Sequence, residues 1–559
     1  MVADRDGLAG EGMTPGTDVP VATMVLRGLR EAGSATVFGL PGTHNMAFWR
    51  AAPGTSVPRL VNVRHEQTAV YAADGWARAS GQLGAAVVTT GPGAANTVAA
   101  FGEAAMSGSP LVLVASEVPL QLGGTGLQRT LHQSRDQAGL FVPLAKAVFT
   151  PRCAEAVAKD LTTAIATALT PPQGPVYMDV PADVLRGPAG AVSSPVPRPR
   201  RLVDEDALTH GAALVNAAPA VAIWAGGGVI EAGAEELLST LAAHLRAPVI
   251  TTFSSRGALR ATDASNVVLP PHEPEVEEML ASADVLVGLG TDFDGMMTKN
   301  ATLRLPPTIV DVNVDPSRAS FGYDGVLSVP GDARPAIEGL LQLTGKRHAG
   351  LIDGLAVLKE RVWARLQSDP RTTEAVRFVA SVERAGANRA VVVNDMTIPG
   401  YWLGNYYSPD CSRTVQYPIG WGTLGYALPA SIGAALAGDR PVLAVCGDGG
   451  FMYAIGELAT IAQEQLPITV LVVDDGGYGM LRYGHQPSGE AVPGTDLVTP
   501  DFVQLASAFG INAARAHGVG APLEETLRQA LGSGEPRVVV CEASLFPPRT
   551  TSPRWHEAS

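Results

Sequence analysis

Short apolar runs recur along the chain, and each is followed by a glycine-rich or acidic turn. Residues 444–446 and 468–473 are two such runs, the second rich in β-branched residues and long enough for one buried parallel strand. Between them, apolar residues recur at helical spacing from Ile455 to Leu466, and Pro467 ends the pattern. Strands that alternate with helices in this way predict an α/β fold with open, mostly parallel sheets.

The alternation divides the chain into three predicted domains, each an open, mostly parallel sheet flanked by helices. Residues 1–18, rich in Gly, Asp and Pro, are predicted to form a flexible tail. We expect domains at 19–190, 202–345 and 356–559, with a linker where prolines and arginines crowd residues 195–201. In the middle domain, the apolar runs 221–224 and 285–290 predict two of the strands.

Composition excludes several classes of protein. The formal net charge of −14 over 559 residues argues against nucleic acid as a partner. No apolar run reaches the eighteen residues of a membrane span, so no membrane is expected either. The four cysteines are scattered without metal-binding spacing, and the first residues lack the pattern of a secretory signal. The expected location is therefore the cytoplasm.

Two acidic strand ends form the strongest chemical motif. Gly447-Asp448-Gly449 follows the first apolar run, and Asp474-Asp475 follows the second. Because parallel strands end at one edge of a sheet, Asp448, Asp475 and a backbone carbonyl near Gly477 are predicted to bind Mg²⁺ together with phosphate oxygens. The glycines would let the backbone approach a diphosphate. The alternative is a pair of acidic turn residues in an ordinary α/β domain.

This motif resembles the signature of thiamine diphosphate (ThDP) enzymes of the acetolactate synthase and 2-oxo acid decarboxylase superfamily. There the second element is usually Asn-Asn, whereas this chain has Asp474-Asp475. The resemblance implies ThDP and Mg²⁺ as cofactors, and Asp448, Asp475 and the Gly477 carbonyl as metal ligands. The remaining residues implied at the diphosphate end are Gly447, Gly449, Gly450, Tyr478 and Met480. The extra carboxylate is expected to hold the cation and to repel the cofactor.

The N-terminal third carries the second part of the resemblance. Glu66, within Arg64-His65-Glu66-Gln67, would be the carboxyl group that exchanges a proton with the aminopyrimidine ring of ThDP. Alternatively, it is a glutamate favoured by a helix N-terminus. Gly42, His44 and Gly91 lie in glycine turns after two further predicted strands. Because ligands bind outside the carboxyl ends of parallel strands, these three residues and Glu66 are expected to line one ligand-binding crevice.

Residues 420–430 resemble the segment of these enzymes that shapes the cofactor. The resemblance implies that Leu424 wedges ThDP into its bent form and that the Gly422 carbonyl accepts from the 4′-amino group. Leucine in place of the usual methionine nearly conserves volume. Without the family, the segment reads as a glycine-rich turn that enters a helix.

Residues around the substrate favour one reaction. His44, the run 131–137 and residues 394–406 resemble the 5-guanidino-2-oxopentanoate decarboxylase branch. In such enzymes the C2 carbanion of ThDP adds to a 2-oxo acid, CO₂ leaves, and protonation of the enamine releases an aldehyde. His44, His132 and Gln133 are the candidate catalytic residues beside Glu66, because a histidine exchanges protons near neutral pH. Either histidine could instead be structural.

A carboligase of the acetolactate synthase type is the alternative, in which the enamine joins a second carbonyl compound. Lys146 matches a lysine of the synthases and supports this alternative, whereas Gly484 stands where they carry a tryptophan. A non-catalytic ThDP-fold protein would be expected to have lost Glu66 or Asp448. A nicotinamide oxidoreductase needs a Gly-x-Gly-x-x-Gly motif that residues 225–228 do not supply.

The resemblance also bears on assembly and on a further cofactor. Glu66 and Asp448 fall in different predicted domains, which in this family meet across a subunit interface. The resemblance therefore implies a homodimer or homotetramer with its active sites at that interface. It also implies a small-molecule 2-oxo acid as substrate. FAD in the middle domain is possible, but residues 291–294 match the synthase pattern only in part and do not support it.

Overall fold

Three parallel sheets organise the protein. The computed structural model describes residues 19–52, 56–122, 129–189, 202–318, 322–485 and 492–555. In these ranges every strand pairing within the sheets is parallel, and helices flank each sheet. The predicted α/β class and its three sheets are therefore confirmed. The predicted tail at 1–18 and linker at 195–201 lie outside the described residues.

The first sheet has six strands in the order β2-β1-β3-β4-β6-β5. Its strands are β1 Thr36–Gly39, β2 Arg59–Asn62, β3 Gly84–Val88, β4 Leu111–Glu117, β5 Ala147–Phe149 and β6 Val176–Pro181. Its helices are α1 Val21–Glu31, α2 Met46–Ala51, α3 Glu66–Ser80, α4 Pro92–Ala95, α5 Val98–Met106, α6 Ala154–Leu169 and α7 Ala182–Arg186. β3 and β4 are buried along nearly their whole length, as expected for central strands covered on both faces.

The middle sheet has five strands in the order β11-β10-β9-β7-β8. Its elements are α8 Glu205–Ala217, β7 Val221–Ala225, α9 Gly227–Glu231, α10 Glu235–Leu245, β8 Val249–Thr251, α11 Pro274–Ala281, β9 Val285–Leu289, β10 Thr308–Asn313, β11 Val326–Pro330 and α12 Ala333–Leu343. β7 and β9 coincide closely with the two apolar runs that predicted them.

The third sheet has six strands in the order β13-β12-β14-β15-β17-β16. Its strands are β12 Val391–Asn394, β13 Val415–Gln416, β14 Val442–Gly447, β15 Ile468–Asp474, β16 Asn512–Ala516 and β17 Arg537–Glu542. Its helices are α13 Leu355–Ser368, α14 Thr373–Arg384, α15 Ile398–Tyr406, α16 Ala427–Leu436, α17 Asp448–Met452, α18 Leu458–Glu464, α19 Gly479–His485, α20 Phe502–Ala508 and α21 Ala521–Gly532. Counted along the chain, the strands follow the same order as in the first sheet.

The first and third sheets are joined by the close packing of α3 against α16. A Cβ added at Gly433 of α16 would lie 1.7 Å from the carbonyl oxygen of Ala72 in α3, so any side chain there would push the helices apart. One continuous apolar core includes residues of both helices and of both sheets. The two domains therefore hold their loops in a fixed relation to each other.

The helix predicted from Ile455 to Leu466 is interrupted in the structure. A 3-10 turn covers Ile455–Glu457, and the α-helix α18 follows only from Leu458. The buried Glu457 carboxylate in this turn accepts hydrogen bonds from the backbone N–H groups of Arg64 and His65, each at 3.0 Å. This contact to the first domain accounts for the tighter turn. None of the helices in the described ranges is long and apolar enough to cross a membrane.

Candidate active site

The two acidic motifs lie at adjacent strand ends, as predicted. β14 and β15 are neighbours, with Gly447 opposite Val473, so Asp448 and Asp475 leave the same edge of the sheet. Gly447 precedes the first residue of α17, and its extended backbone turns the chain from strand into helix. The carboxyl ends of the central strands thus bring both carboxylates to one place.

The electrostatics of the two carboxylates fit a bound cation. Asp448 is buried, and its Oδ2 has no hydrogen-bond partner among the described residues. Burial, with the charge of Asp475 as the next cause, raises the pKa of Asp448 to about 6. Burial also raises the pKa of Asp475, although Arg482 opposes the shift. Two facing carboxylates of this kind are stabilised by a divalent ion, and oxygen ligands of this type suit Mg²⁺.

The glycines around these carboxylates allow other parts of the protein to pack closely against the backbone there. A Cβ added at Gly449 would lie 2.6 Å from the ring of Tyr478, so only glycine fits there. Gly450 packs against the carboxylate of Asp395. Gly477 pairs with Asp496 in an antiparallel bridge whose hydrogen bonds use the backbone of Gly476 and Tyr478. The Gly477 carbonyl lies outside those hydrogen bonds, which is compatible with its predicted role as a ligand.

In the described part of the chain, no three His, Cys, Asp or Glu side chains cluster as a metal site. Asp448 and Asp475 therefore fit a cation whose other ligands come from a backbone carbonyl and from the phosphate oxygens of a cofactor. Met480, in α19 just beyond Tyr478, is partly buried against the core. Its predicted role in cofactor binding remains a prediction.

The segment 420–425 is held by two buried carboxylates. Glu103 of α5 accepts from the N–H groups of Gly420 at 3.2 Å and Trp421 at 2.9 Å. Asp395, just after β12, accepts from the Gly425 N–H at 3.0 Å. Desolvation in this fully buried position raises the pKa of Asp395 to about 6. These contacts fix both ends of the loop that carries the two predicted cofactor contacts.

Those two contacts, Gly422 and Leu424, lie between the anchored ends. The Gly422 N–H donates to the carbonyl of Pro418 at 3.0 Å. Leu424 is partly buried and lines a cavity of about 270 Å³ together with His65 and Gln67, the neighbours of Glu66 in sequence. The structure therefore brings the loop of the third domain close to the start of α3 in the first.

Glu66 is the first residue of α3 and is half-buried. The side-chain N–H of Asn96 donates to Glu66 Oε2 at 3.0 Å. A Cβ added at Gly93 would lie 3.4 Å from Glu66 Oε1. Asn96 and Gly93 belong to the Gly91 turn and the short helix after it. The glutamate is thus oriented by the segment that the sequence had linked to the same crevice.

The Gly91 turn is organised by a buried glutamine that our sequence interpretation missed. Gly91 has φ +68°, and its N–H donates to Gln137 Oε1 at 2.6 Å. The Gln137 Nε2 donates to the carbonyl of Ser116 and to the Tyr177 hydroxyl oxygen, each at 3.0 Å. Gly42, in the neighbouring turn, donates its N–H to Asn45 Oδ1 at 2.7 Å. Both glycine turns are therefore rigid parts of the site.

His44 and His132 meet edge to face, with ring centroids 5.5 Å apart. The Nδ1 of His44 is 2.9 Å from the Thr90 hydroxyl, which in turn lies 3.0 Å from the Ser116 hydroxyl. Burial, then the neighbouring His132, lowers the pKa of His44. The Nδ1 of His132 is buried without a hydrogen-bond partner among the described residues. The structure thus brings the two candidate catalytic histidines into contact.

The contacts of Gln133 and Lys146 bear on their assigned roles. The Oε1 of Gln133 accepts from the Thr130 N–H at 3.4 Å, so part of this side chain serves its own loop. The ammonium of Lys146 donates to the carbonyls of Thr167 and Pro172, each at 2.7 Å, next to the end of α6. Lys146 therefore secures the end of a helix, and its match to the lysine of the synthases stays untested.

The middle domain borders a second cleft, of about 550 Å³, where it meets the other two domains. A Cβ added at Gly226 would lie 2.2 Å from the Gly290 carbonyl, so tight packing of two strand-end turns already explains this glycine. Arg318 in the cleft lining pairs with Asp292 at 2.6 Å and with Asp315 at 3.6 Å. FAD remains a possibility that these contacts do not support.

Three matches to family models cover most of the chain. Residues 20–140, 208–340 and 395–541 match the thiamine pyrophosphate enzyme N-terminal TPP binding domain, central domain and C-terminal TPP binding domain, respectively. The chain belongs to the thiamine pyrophosphate enzymes. Thiamine pyrophosphate is ThDP, so the resemblance drawn from the motifs is confirmed.

Curated relatives of this family match over nearly the full length. A probable 2-ketoarginine decarboxylase of Pseudomonas aeruginosa is 32% identical, over 93% of this chain and 93% of its own. A probable acetolactate synthase large subunit of Methanocaldococcus jannaschii is 29% identical, over 94% and 93%. The acetolactate synthase isozyme 3 large subunit of Escherichia coli is 30% identical, over 91% and 92%. The relatives thus include both of the reaction types considered from the sequence.

Proposed function

We propose that this ThDP enzyme is Mg²⁺-dependent and decarboxylates a 2-oxo acid, releasing an aldehyde. The observation that carries the proposal is the His44–His132 pair, which stands beside the Gly91 turn that also orients Glu66. A main-chain contact supports this arrangement, because a Cβ at Gly91 would lie 2.3 Å from the His132 carbonyl oxygen. His44, His132 and Glu66, which can all carry protons, therefore lie near the carboxyl ends of the strands of the first sheet.

Different residues are proposed to bind the metal ion, the body of the cofactor and its aminopyrimidine ring. Asp448 and Asp475, with the Gly477 carbonyl, would hold Mg²⁺ and through it the diphosphate, and Leu424 and Gly422 would contact the rest of the cofactor. When bound, ThDP supplies the electron sink that allows a 2-oxo acid to lose CO₂. Glu66, whose carboxylate Asn96 holds in place, would be the group that exchanges a proton with the aminopyrimidine ring.

The histidine pair would deliver the proton that completes the aldehyde. Burial, and then the neighbouring His132 ring, lowers the pKa of His44, so His44 gives up a proton more readily than a free histidine does. His44 Nδ1 is engaged with Thr90, which leaves His44 Nε2 for a transferable proton, and His132 Nδ1 is buried without a partner among the described residues. A group with a proton to give favours protonation of the product carbon over attack of that carbon on a second carbonyl compound.

A carboligase of the acetolactate synthase type is the second candidate, supported by the names of several relatives. The match of Lys146 to a lysine of the synthases also favours it, whereas the glycine at 484 stands against it. The relative named a 2-ketoarginine decarboxylase supports 5-guanidino-2-oxopentanoate as the first substrate to test. We also propose a homodimer or a homotetramer with its active sites at the subunit interface, in which Glu66 of one subunit faces Asp448 of another.

Product analysis separates the two reactions. Purified protein with ThDP and Mg²⁺ is supplied separately with 5-guanidino-2-oxopentanoate, pyruvate and benzoylformate, and the products are identified by mass spectrometry. We expect an aldehyde one carbon shorter than its substrate. His132→Phe places an aromatic residue, usual in the synthases, at this position, and should lower the ratio of aldehyde to condensation product. Acetolactate as the main product from pyruvate would move the assignment to carboligase.

A further inference from the structure

The carboxylate of Asp475 is bound by a nearby arginine. Arg482 Nη2 lies 2.9 Å from Asp475 Oδ1 and donates to the backbone carbonyl of the same residue at 2.8 Å. One guanidinium nitrogen therefore holds both the side chain and the main chain of Asp475. The other terminal nitrogen, Nη1, lies 3.5 Å from Asp496 Oδ1.

The position of Arg482 is itself constrained. It lies in α19, which begins four residues after Asp475, and its backbone N–H donates to the carbonyl of Tyr478 at 3.1 Å. Asp496, its second partner, belongs to the segment that pairs with Gly477. Arg482 thus spans the turn that carries two of the three predicted metal ligands.

A charge count explains why an arginine is needed here. Enzymes that resemble this chain usually combine one aspartate with one asparagine at the metal, a protein charge of −1. Asp448 and Asp475 together would give −2, and Arg482 brings these three groups to −1. The neighbouring Asp474 carboxylate still adds negative charge beside both aspartates. The side chains of Asp475 and Arg482 are only 16% and 33% exposed, so their interaction is screened less than that of a surface ion pair.

We propose that Arg482 is a positioning residue that neutralises Asp475, so that a carboxylate can serve where related enzymes use a neutral amide. With Oδ1 bound to Arg482, Asp475 Oδ2 remains for the cation. That oxygen lies 2.1 Å from where a Cβ of residue 479 would be, and glycine at this position leaves it uncovered. The inference rests on the proposed binding of ThDP and Mg²⁺ at this strand edge.

A four-protein binding cycle tests the proposal directly. The dissociation constant of ThDP in the presence of Mg²⁺ is measured by isothermal titration calorimetry for the full chain, Arg482→Gln, Asp475→Asn and the double variant. Arg482→Gln should weaken binding about tenfold, since it leaves a partly buried carboxylate without its partner beside the diphosphate. Asp475→Asn should bind within about threefold of wild type, because the amide needs no counter-ion.

The decisive comparison is the double variant. If Arg482 acts by neutralising Asp475, adding Asp475→Asn to Arg482→Gln restores binding to within about threefold of wild type. An equal loss from Arg482→Gln in both backgrounds would mean a structural role unrelated to charge, and would overturn the proposal. No loss in the Asp475 background would overturn it as well.

Two further proteins keep the outcome clear. Arg482→Lys retains the charge without the planar fork and should bind ThDP more tightly than Arg482→Gln; equal weakening by the two variants would contradict neutralisation. Thermal melting and circular dichroism establish that each variant is folded. If wild type itself fails to bind ThDP with Mg²⁺, the proposed function falls together with this inference. Wild-type binding without the predicted rescue defeats the inference alone.

Discussion

Glu103 offers a demanding test of how the cofactor loop is held. Its side chain is fully buried, and its carboxylate accepts from the N–H groups of Gly420 and Trp421, with Arg78 Nη2 at 3.5 Å. Glu103→Ala leaves these two loop N–H groups without their acceptor, at about 1–3 kcal/mol each, and also removes the acceptor of the Thr423 hydroxyl at 3.4 Å. It also leaves the partly buried Arg78 with one carboxylate fewer. Because these contributions overlap, we expect the loop to be destabilised locally by about 4 kcal/mol.

The effect should appear in both dynamics and cofactor affinity. If half of the local loss is expressed in binding, the free energy of ThDP binding with Mg²⁺ becomes less favourable by about 2 kcal/mol. The dissociation constant then rises about 30-fold. Hydrogen exchange measured by mass spectrometry on a peptide covering residues 418–426 should show faster exchange of the loop amides. Calorimetric titration with ThDP gives the affinity of the same protein.

Two variants control for unrelated damage. Glu103→Gln keeps the shape and one acceptor oxygen, and should fall between wild type and Glu103→Ala in both measurements. Glu155→Ala removes an exposed carboxylate from α6 of the same domain and should change neither. The reasoning is refuted if Glu103→Ala keeps loop exchange and ThDP affinity within twofold of wild type.

Three further predictions address the catalytic groups and the assembly. Gly91→Ala should lower kcat more than tenfold in steady-state assays while the protein still folds, because alanine at φ +68° costs about 1–3 kcal/mol and its Cβ meets the His132 carbonyl; unchanged kcat would contradict it. His132→Gln should raise the NMR titration midpoint of His44 toward 6.5, since burial and then His132 lower the pKa of that residue. Because the folded protein binds this proton more weakly than the unfolded chain does, stability from His44 is lost as the pH falls below 6.5, and the variant should lose less. Mixing inactive Glu66→Gln and Asp448→Asn subunits should restore about a quarter of wild-type activity after exchange, since each mixed dimer has one intact site; no recovery would place each site within one chain.

Local patterns were sufficient to predict the fold. Runs rich in β-branched residues, such as 468–473, became buried parallel strands, because a strand covered on both faces lacks the alternation of apolar and polar positions. The turn glycines and strand-end acids that follow such runs fell at one edge of each sheet. The identical strand order of the first and third sheets was not predicted, since pairing between distant strands leaves little trace in one sequence.

Several residues of the candidate site could not be assigned from the sequence, because their partners are remote in the chain. Glu103 lies in an apolar helical segment, and its role depends on N–H groups more than 300 residues away. The acceptors around Gly91 and Arg64 are Gln137 and Glu457. A carboxylate inside an apolar helical segment could have indicated that Glu103 is buried with partners. Glu457, in contrast, looked like an ordinary polar residue of an amphipathic helix.

Asp475 illustrates a different limit. A departure from a family motif was visible in the sequence, and it raised a question about cofactor affinity that the sequence could not answer. The structure shows a positive partner for this carboxylate, since the side chain of Arg482 in α19 contacts Asp475. Such compensation depends on the path of the backbone after the motif, which spacing alone did not indicate.

Cofactor-dependent CO₂ release most directly tests the central claim that this chain decarboxylates a 2-oxo acid with ThDP. Wild-type protein and Glu66→Gln would be assayed with 5-guanidino-2-oxopentanoate and with pyruvate, each with and without ThDP and Mg²⁺. The account predicts CO₂ release from at least one acid that requires both cofactors and falls at least 100-fold in Glu66→Gln, an effect of the size expected for general acid–base catalysis, about 10² to 10⁴. CO₂ release that is independent of Glu66, or no release from a wild-type protein that binds ThDP, would contradict it.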